Sequence, residues 1–310
     1  VNGGLLDEGA LLMRRLESSV PHRLGRRTSF IPSLHGSSAK WAEVIDAADD
    51  PARRTAIGSA VVATLLVAGP DGQPVVETAD VTALKAIVPD QLFAVRRPVS
   101  HKGMKNYISR VAVPTELDGA RAVWCESFNE LSHLRDLLLR RRPRQVATQP
   151  FRLEWRFPSG VRSHVPDFMI KVRDDRVILV DVTTTSKIRD PRLRAILQLT
   201  RTTADIAGWD YEVRSELLAQ HVRNLNFIHA SGHDTIQDRP SAVRLLRQAA
   251  GPVDVQRASE LLGGGAQGYM RLWDLFAHGF VHIAMDVPIE VDTRITFEQP
   301  TGGAAWLNAL

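Results

Sequence analysis

Two aspartates set the chemical question: Asp167 in HVPDF and Asp181 in VILVDV. Val177-Ile178-Leu179-Val180 is an unbroken apolar run, as in a strand buried on both faces, and it leads straight into Asp181. A bare carboxylate in an apolar interior is costly and demands a partner or a metal. Asp167 follows Pro166 near the start of the preceding strand. The Asp174-Asp175 turn folds the two strands together, which brings both acids to one end of a sheet. Side chains at i and i+2 share a strand face, so Thr183 points with Asp181. Glu126 and Glu130, four apart, are expected on one face of a helix over residues 124–142. One helical glutamate and two strand aspartates form a hard-oxygen set suited to Mg²⁺ or Mn²⁺. Such a metal would activate a water and steady the charge developing on a phosphodiester. The bland alternatives are a strand-capping Asp181, a solvated Glu126/Glu130 face beside Arg135 and Arg140, a structural His164 and a Gln149 that only makes a turn.

The elements that must position these residues follow from periodicity. Leu131, Leu134, Leu138 and Leu139, with Phe128, fall near helical spacing, and Pro143 stops that helix. FRLEWRF alternates as a strand, Pro158-Ser159-Gly160 turns the chain, VRSHVPDFMIKV reads as a second strand and RVILVDVT as a third. A helix over residues 191–207 and a strand in GWDYEVRS complete the unit. The fold class is therefore α/β, with a helix, a β-meander and a second helix. Upstream, Asp50-Pro51 opens a helix, and the apolar stretch AIGSAVVATLLVAG (56–69) reads as a core helix. It is shorter than the ~20 residues a bilayer requires, so no membrane partner is expected. VVETADVTALKAI is left open between strand and helix.

The polar stretch at 229–240 reads as a linker. Behind it come three short helices, over 241–250, 255–262 and 267–278, the last closed by Gly279. Two strands flanking Val287-Pro288 follow as a hairpin, the layout of a winged helix. Its third helix carries Gln267, Tyr269 and Arg271, which could enter a major groove, or the module could dock a protein. The Gly263-Gly264-Gly265 run lacks the strand before it and the lysine after it that a phosphate cradle needs. The expected organisation is thus an N-terminal region of uncertain fold (1–104), an α/β core (105–228), a linker (229–240), a winged-helix domain (241–297) and a loose tail (298–310).

In order, the ESFNE at 126–130, QPF at 149–151, HVPDF at 164–168 and VDV at 180–182 resemble the TnsA-like endonuclease subunits of heteromeric transposases, within the PD-(D/E)xK nuclease superfamily. The resemblance covers roughly residues 105–225. It implies a restriction-endonuclease-like core and a Mg²⁺- or Mn²⁺-dependent DNA endonuclease that cuts one strand at transposon ends. The implied partners are double-stranded DNA, an integrase-like transposase that cuts and joins the other strand, and an AAA+ ATPase regulator. Carried over by position, Glu130 is the helix acid, with Glu126 second, and Asp167 and Asp181 are the strand acids. The family's lysine, two positions after the last acid, is Thr183 here. Lys187 is the expected substitute, with Lys171 as another candidate. That departure keeps open a degenerate nuclease fold serving as a DNA- or transposase-binding module. A restriction or defence nuclease is the other alternative.

Composition agrees with this class without selecting it. The 310 residues suffice for about two domains, and 44% hydrophobic with 24% charged residues is ordinary for a globular protein. The net charge of +4 is carried mainly by arginine, which suits phosphate contacts, although codon usage accounts for it equally well. Cys125 is the only cysteine, which excludes an internal disulfide and a thiolate zinc cluster. The first residues lack the basic-then-apolar layout of a secretory signal, and the expected location is cytoplasmic and nucleoid-associated. Arg140 to Arg144 could contact phosphates or favour a helix C-terminus.

Overall fold

A computed structural model describes residues 38–96, 107–116, 119–232 and 235–297. The expected loose tail (298–310), the N-terminal segment and most of the irregular stretch at 20–40 lie outside the described residues. The architecture is mixed α/β. Among the described residues, no helix is long and apolar enough to cross a membrane.

The N-terminal part starts with α1 (Trp41–Asp49) and α2 (Pro51–Ser59). Asp50 caps α2 through the N–H groups of Ala52 and Arg53, and Pro51 takes the first helical position. The expected core helix over 56–69 is corrected here. α2 ends at Ser59, and the β-branched run that follows is strand β1 (Val62–Ala68), paired antiparallel with β2 (Pro74–Asp80). Ala63, Leu65 and Leu66 are buried by sheet pairing and packing, which the apolar run alone could not tell from helix burial. Both readings of the next stretch hold in part: β2 gives way at Asp80 to a single helical turn, α3 (Val81–Leu84). A two-residue β3 (Leu92–Phe93) returns to pair with β1.

The hairpin β4 (Ser109–Thr115) and β5 (Gly119–Cys125) precedes α4 (Phe128–Arg141), and β6 (Gln145–Thr148) follows it. The chain then forms β7 (Phe151–Phe157), β8 (Gly160–His164), β9 (Phe168–Lys171), β10 (Val177–Val182), α5 (Pro191–Ala207) and β11 (Asp210–Arg214). The expected meander is split between two sheets. β7 and β8 pair with each other, and β7 joins β1, giving the order β2-β1-β7-β8. β9 and β10 belong to a second sheet, ordered β11-β10-β9-β6. VRSHVPDFMIKV is accordingly two strands rather than one. Pro166, which has no N–H to give to a ladder, lies in the break, and the chain crosses there from one sheet to the other. β10 and β11 run parallel, joined through α5, and the remaining pairs in this sheet are antiparallel.

The second sheet is covered on both faces. Val146, Phe168, Ile170, Ile178 and Val180 pack with Leu131, Leu134 and Leu137 of α4. Ala147, Met169 and Leu179 face the other way, into a core shared with α5, β7, β1 and α1. Residues 39–92, of uncertain fold from the sequence, thus help wall the same core as the strands beyond them. Trp155 is fully buried there, and its indole N–H donates to Thr203 Oγ1 at 3.2 Å.

The chain continues as α6 (Ala219–Ser231), α7 (Arg239–Arg247), α8 (Val255–Leu261) and α9 (Gly265–Ala277). α6 therefore occupies the first residues of the expected linker. α8 and α9 approach so closely that a Cβ on Gly268 would sit 2.1 Å from the Ser259 carbonyl oxygen. Gly279, at φ 63°, closes α9 as expected. Leu275 and Phe276 are core, whereas Trp273 is only partly buried. The expected hairpin around Val287-Pro288 is reduced to isolated antiparallel bridges, Asp254 with Arg294 and His282 with Thr296.

Candidate active site: a row of acids at the sheet end

Strand register brings the two aspartates together. The last β9–β10 pair is Phe168 with Val180, and Asp167 and Asp181 lie one position beyond it. The Asp167 N–H donates to the Val180 carbonyl at 3.2 Å, and its Oδ2 accepts the Val182 N–H at 2.7 Å. Burial, then the negative charges of Asp181 and Glu130, push the Asp167 carboxyl well above the usual carboxylate range. Asp181 is 3% exposed and held on two sides. His164 Nε2 lies 2.9 Å from its Oδ1, and the Tyr211 hydroxyl donates to its Oδ2 at 2.5 Å. Burial and the neighbouring Asp181 charge raise Tyr211 well above an ordinary phenol, which keeps it a donor.

Glu130 reaches the cluster from the opposite side of the sheet, at the first turn of α4. Ser127 is the N-cap: its Oγ accepts the Glu130 N–H at 3.1 Å. The Glu130 carboxylate in turn accepts from the Ser127 hydroxyl at 2.9 Å and from the Glu126 N–H at 2.7 Å. This is a capping-box arrangement, shifted by one donor. Burial raises the Glu130 carboxyl, against these hydrogen bonds. The expected helix over 124–142 therefore starts late. Trp124 and Cys125 belong to β5, so Glu126 precedes the helix instead of sharing a face with Glu130. Phe128, expected among the apolar helix positions, is 47% exposed.

The basic residues lie elsewhere than expected. Lys187 is exposed on a short 3₁₀ turn, Lys187–Arg189, and its backbone N–H bonds Thr184 Oγ1. Lys171 sits at the far end of β9, paired with Asp175 at 3.0 Å. The cation that acts on both Asp167 and Glu130 is Arg96, which also bonds Glu126 at 2.7 Å. Thr183 is buried and donates its N–H to the Arg214 carbonyl, while its own carbonyl accepts from Asn129 Nδ2 at 3.0 Å. The arginines at 140–144 are largely committed to protein partners. Arg140 pairs with Asp136, Arg141 with Glu212, and Arg144 with Glu116 and Asp175.

Four further residues stand around the acids. The sequence pattern reads His164 as structural and Gln149 as a turn residue, and it carries no signal for Arg96 or Tyr211. Gln149 had a readable signal, a polar residue wedged between a strand and Pro150. It is 2% exposed at φ 48°, and neither amide atom has a hydrogen-bond partner. A buried amide so placed costs on the order of 1–3 kcal/mol per unmade bond.

The donor chemistry suits a hard divalent cation: two adjoining aspartates, a nearby glutamate and an unpaired amide oxygen. As they stand, no group of three or more His, Cys, Asp or Glu among the described residues is arranged to hold a metal ion. The Glu130 oxygens are turned to the Glu126 backbone N–H and to Ser127. No protein-family model matches the chain, and no curated protein matches it.

Proposed function

We propose that this chain is a divalent-metal-dependent DNA endonuclease of the TnsA-like kind, acting as one subunit of a heteromeric transposase. The observation that carries the reading is the adjacency of Asp167 and Asp181 in a buried site where Asp167 is disfavoured as an anion. Such a perturbed carboxylate pair at a sheet end is what a metal site needs and what a packing role does not. Asp167, Asp181 and Glu130 are the residues to hold Mg²⁺ or Mn²⁺, which when bound would supply an activated water and charge neutralisation. His164 and Tyr211 fix the Asp181 carboxylate from two directions. Arg96, exposed at the same cluster, supplies the positive charge that Thr183 cannot, and stands ready for a phosphate oxygen.

The sheet order supports a restriction-endonuclease-like core: a helix, an antiparallel three-strand run, a crossover helix and a parallel edge strand. The three helices α7 to α9 with the bridges at Asp254–Arg294 and His282–Thr296 support a small winged helix. Partners under this reading are double-stranded transposon-end DNA, an integrase-like transposase and an AAA+ ATPase. A second reading, a degenerate nuclease fold that binds DNA or the transposase without cutting, is favoured by Thr183 in the lysine position and by the outlying Lys187. Plasmid nicking with Mg²⁺ or Mn²⁺, comparing the wild type with Asp167→Asn, separates the two. Metal-dependent nicking lost in the variant supports the enzyme; DNA binding without nicking in either protein overturns it.

A further inference from the structure

Gln149 belongs to the same row as the two aspartates. The last β6–β9 pair is Thr148 with Phe168, so Gln149 lies one position beyond it and opposite Asp167, just as Asp167 lies opposite Asp181. The Gln149 N–H donates to the Asp167 carbonyl at 2.9 Å, which fastens the two backbones at this point. Residues opposite one another on antiparallel strands project to the same face, and alternation fixes which face it is. Ala147, Met169 and Leu179, two positions before or after the three polar residues, all point into the α5 side of the sheet. Asp167 and Asp181 therefore share that side, and Gln149, at φ 48° just past the end of β6, turns off the ladder beside them. Glu130 comes from α4, which covers the other side, and its two oxygens are already engaged by Ser127 and Glu126.

We propose that the Gln149 side-chain carbonyl, in place of Glu130 in the ligand set given above, is the third direct oxygen ligand of the cation site beside Asp167 and Asp181, with Glu130 kept as a helix cap. This rests on the metal-site reading above. A neutral amide oxygen is a hard ligand of the kind Mg²⁺ and Mn²⁺ accept. It explains why an amide with φ 48° and 2% exposure is kept with both polar atoms unpaired. A residue needed only for the turn would be Gly or Asn, which take that backbone region at less cost.

The test is thermal unfolding of the full chain in EDTA and across a Mn²⁺ titration. It compares the wild type, Asp167→Asn, Gln149→Met and Gln149→Glu. The wild type is expected to gain Tm with Mn²⁺, and Asp167→Asn to lose that gain. Gln149→Met is expected to keep or raise its Tm in EDTA while its Mn²⁺ midpoint moves up by about tenfold or more. Gln149→Glu is expected to do the reverse, with a lower Tm in EDTA and a lower Mn²⁺ midpoint. A Gln149→Met midpoint equal to the wild type's, beside a lost response in Asp167→Asn, overturns the role of Gln149 and leaves the metal site standing. A wild type that never responds to Mn²⁺ removes the metal site and this ligand together. Should Gln149→Met not fold, an unchanged midpoint in Gln149→Glu overturns the proposal by itself.

Discussion

Two aspartates drawn away from solvent, Asp136 and Asp167, are treated in opposite ways. Asp136 on α4 is completely buried, yet its carboxyl is held below the usual range despite desolvation. Its Oδ2 accepts from Arg214 at 3.0 Å, and its Oδ1 from His221 at 2.8 Å and Arg140 at 3.0 Å. Asp167 is only partly buried, yet its near neighbours are Asp181 and Glu130, and desolvation together with those charges drives its carboxyl upward. Asp136 is the more deeply buried of the two, so it is the partners and not the burial that set the opposite directions. A compensated carboxylate ties α4, β11 and α6 together. An uncompensated one is a standing cost that the rest of the fold must support, and such costs collect where a ligand is to be received.

The sharpest break of this comparison is Asp136→Ala. Removing one partner of a buried ionic network leaves the others short of a counter-charge, here His221 and Arg214, although Arg214 keeps its pair with Glu212, with an expected loss of about 3–5 kcal/mol in urea unfolding. Asp136 itself, with its depressed carboxyl, adds stability that is present above the unfolded carboxylate range, near pH ~4, and is lost as pH falls through its lower folded value. Loss of less than about 1 kcal/mol in Asp136→Ala would put the network on a par with surface pairs and erase the contrast.

His133 gives the next effect. Burial, then the Arg214 charge, brings its imidazole down from 6.5 to about 4. The neutral ring is the folded form, so unfolding takes up a proton below pH 6.5. The contribution is whole above that value and declines as pH falls toward about 4, amounting to roughly 3 kcal/mol across the window. Stability measured from pH 7 to pH 4 should therefore fall more steeply in the wild type than in His133→Gln, and NMR titration should find the ring neutral at pH 5.5.

Asp167→Asn runs in the other direction. In EDTA at neutral pH, the amide removes a disfavoured charge from between Asp181 and Glu130, and an increase of about 1 kcal/mol in stability is expected. Destabilisation by a similar amount would mean that the Val182 N–H bond at 2.7 Å outweighs the repulsion, and Asp167 would then join Asp136 as a structural acid.

What could be read from the sequence divides along the same line. The convergence of Asp167 and Asp181 followed from an apolar run, a tight turn and period two, all local, and the β9–β10 register realises it. The helix over 191–207 and its flanking strand were legible for the same reason, with Asp190 capping and Pro191 opening. The partners were not legible, because they are long-range. Tyr211 reaches Asp181 only because β11 runs parallel to β10, and Arg96 reaches the cluster from a segment whose own pattern is featureless. α4 starts later than its periodicity suggests because Trp124 and Cys125 continue the apolar rhythm, whereas Ser127 and Glu130 mark the N-terminus as a capping signature. The core helix expected over 56–69 failed where periodicity is weakest, in an apolar run too short to distinguish strand from helix.

The smallest effect separates the two candidate cations. Arg96 makes an exposed pair with Glu126, which is expected to contribute no more than about 1 kcal/mol, so Arg96→Ala should unfold within that margin of the wild type. Lys187→Ala should do the same, because that side chain is exposed on its turn. Only cleavage should tell them apart. If the positive charge at the acid cluster belongs to Arg96, then Arg96→Ala loses nicking by about 10²-fold or more while Lys187→Ala keeps it, a loss the size of one removed electrostatic stabiliser. The opposite pattern would return the role to Lys187 and require the 3₁₀ turn to swing inward on DNA. It would also place the acid cluster among sites completed only by their ligand, unlike the Asp136 network, whose partners are all in place.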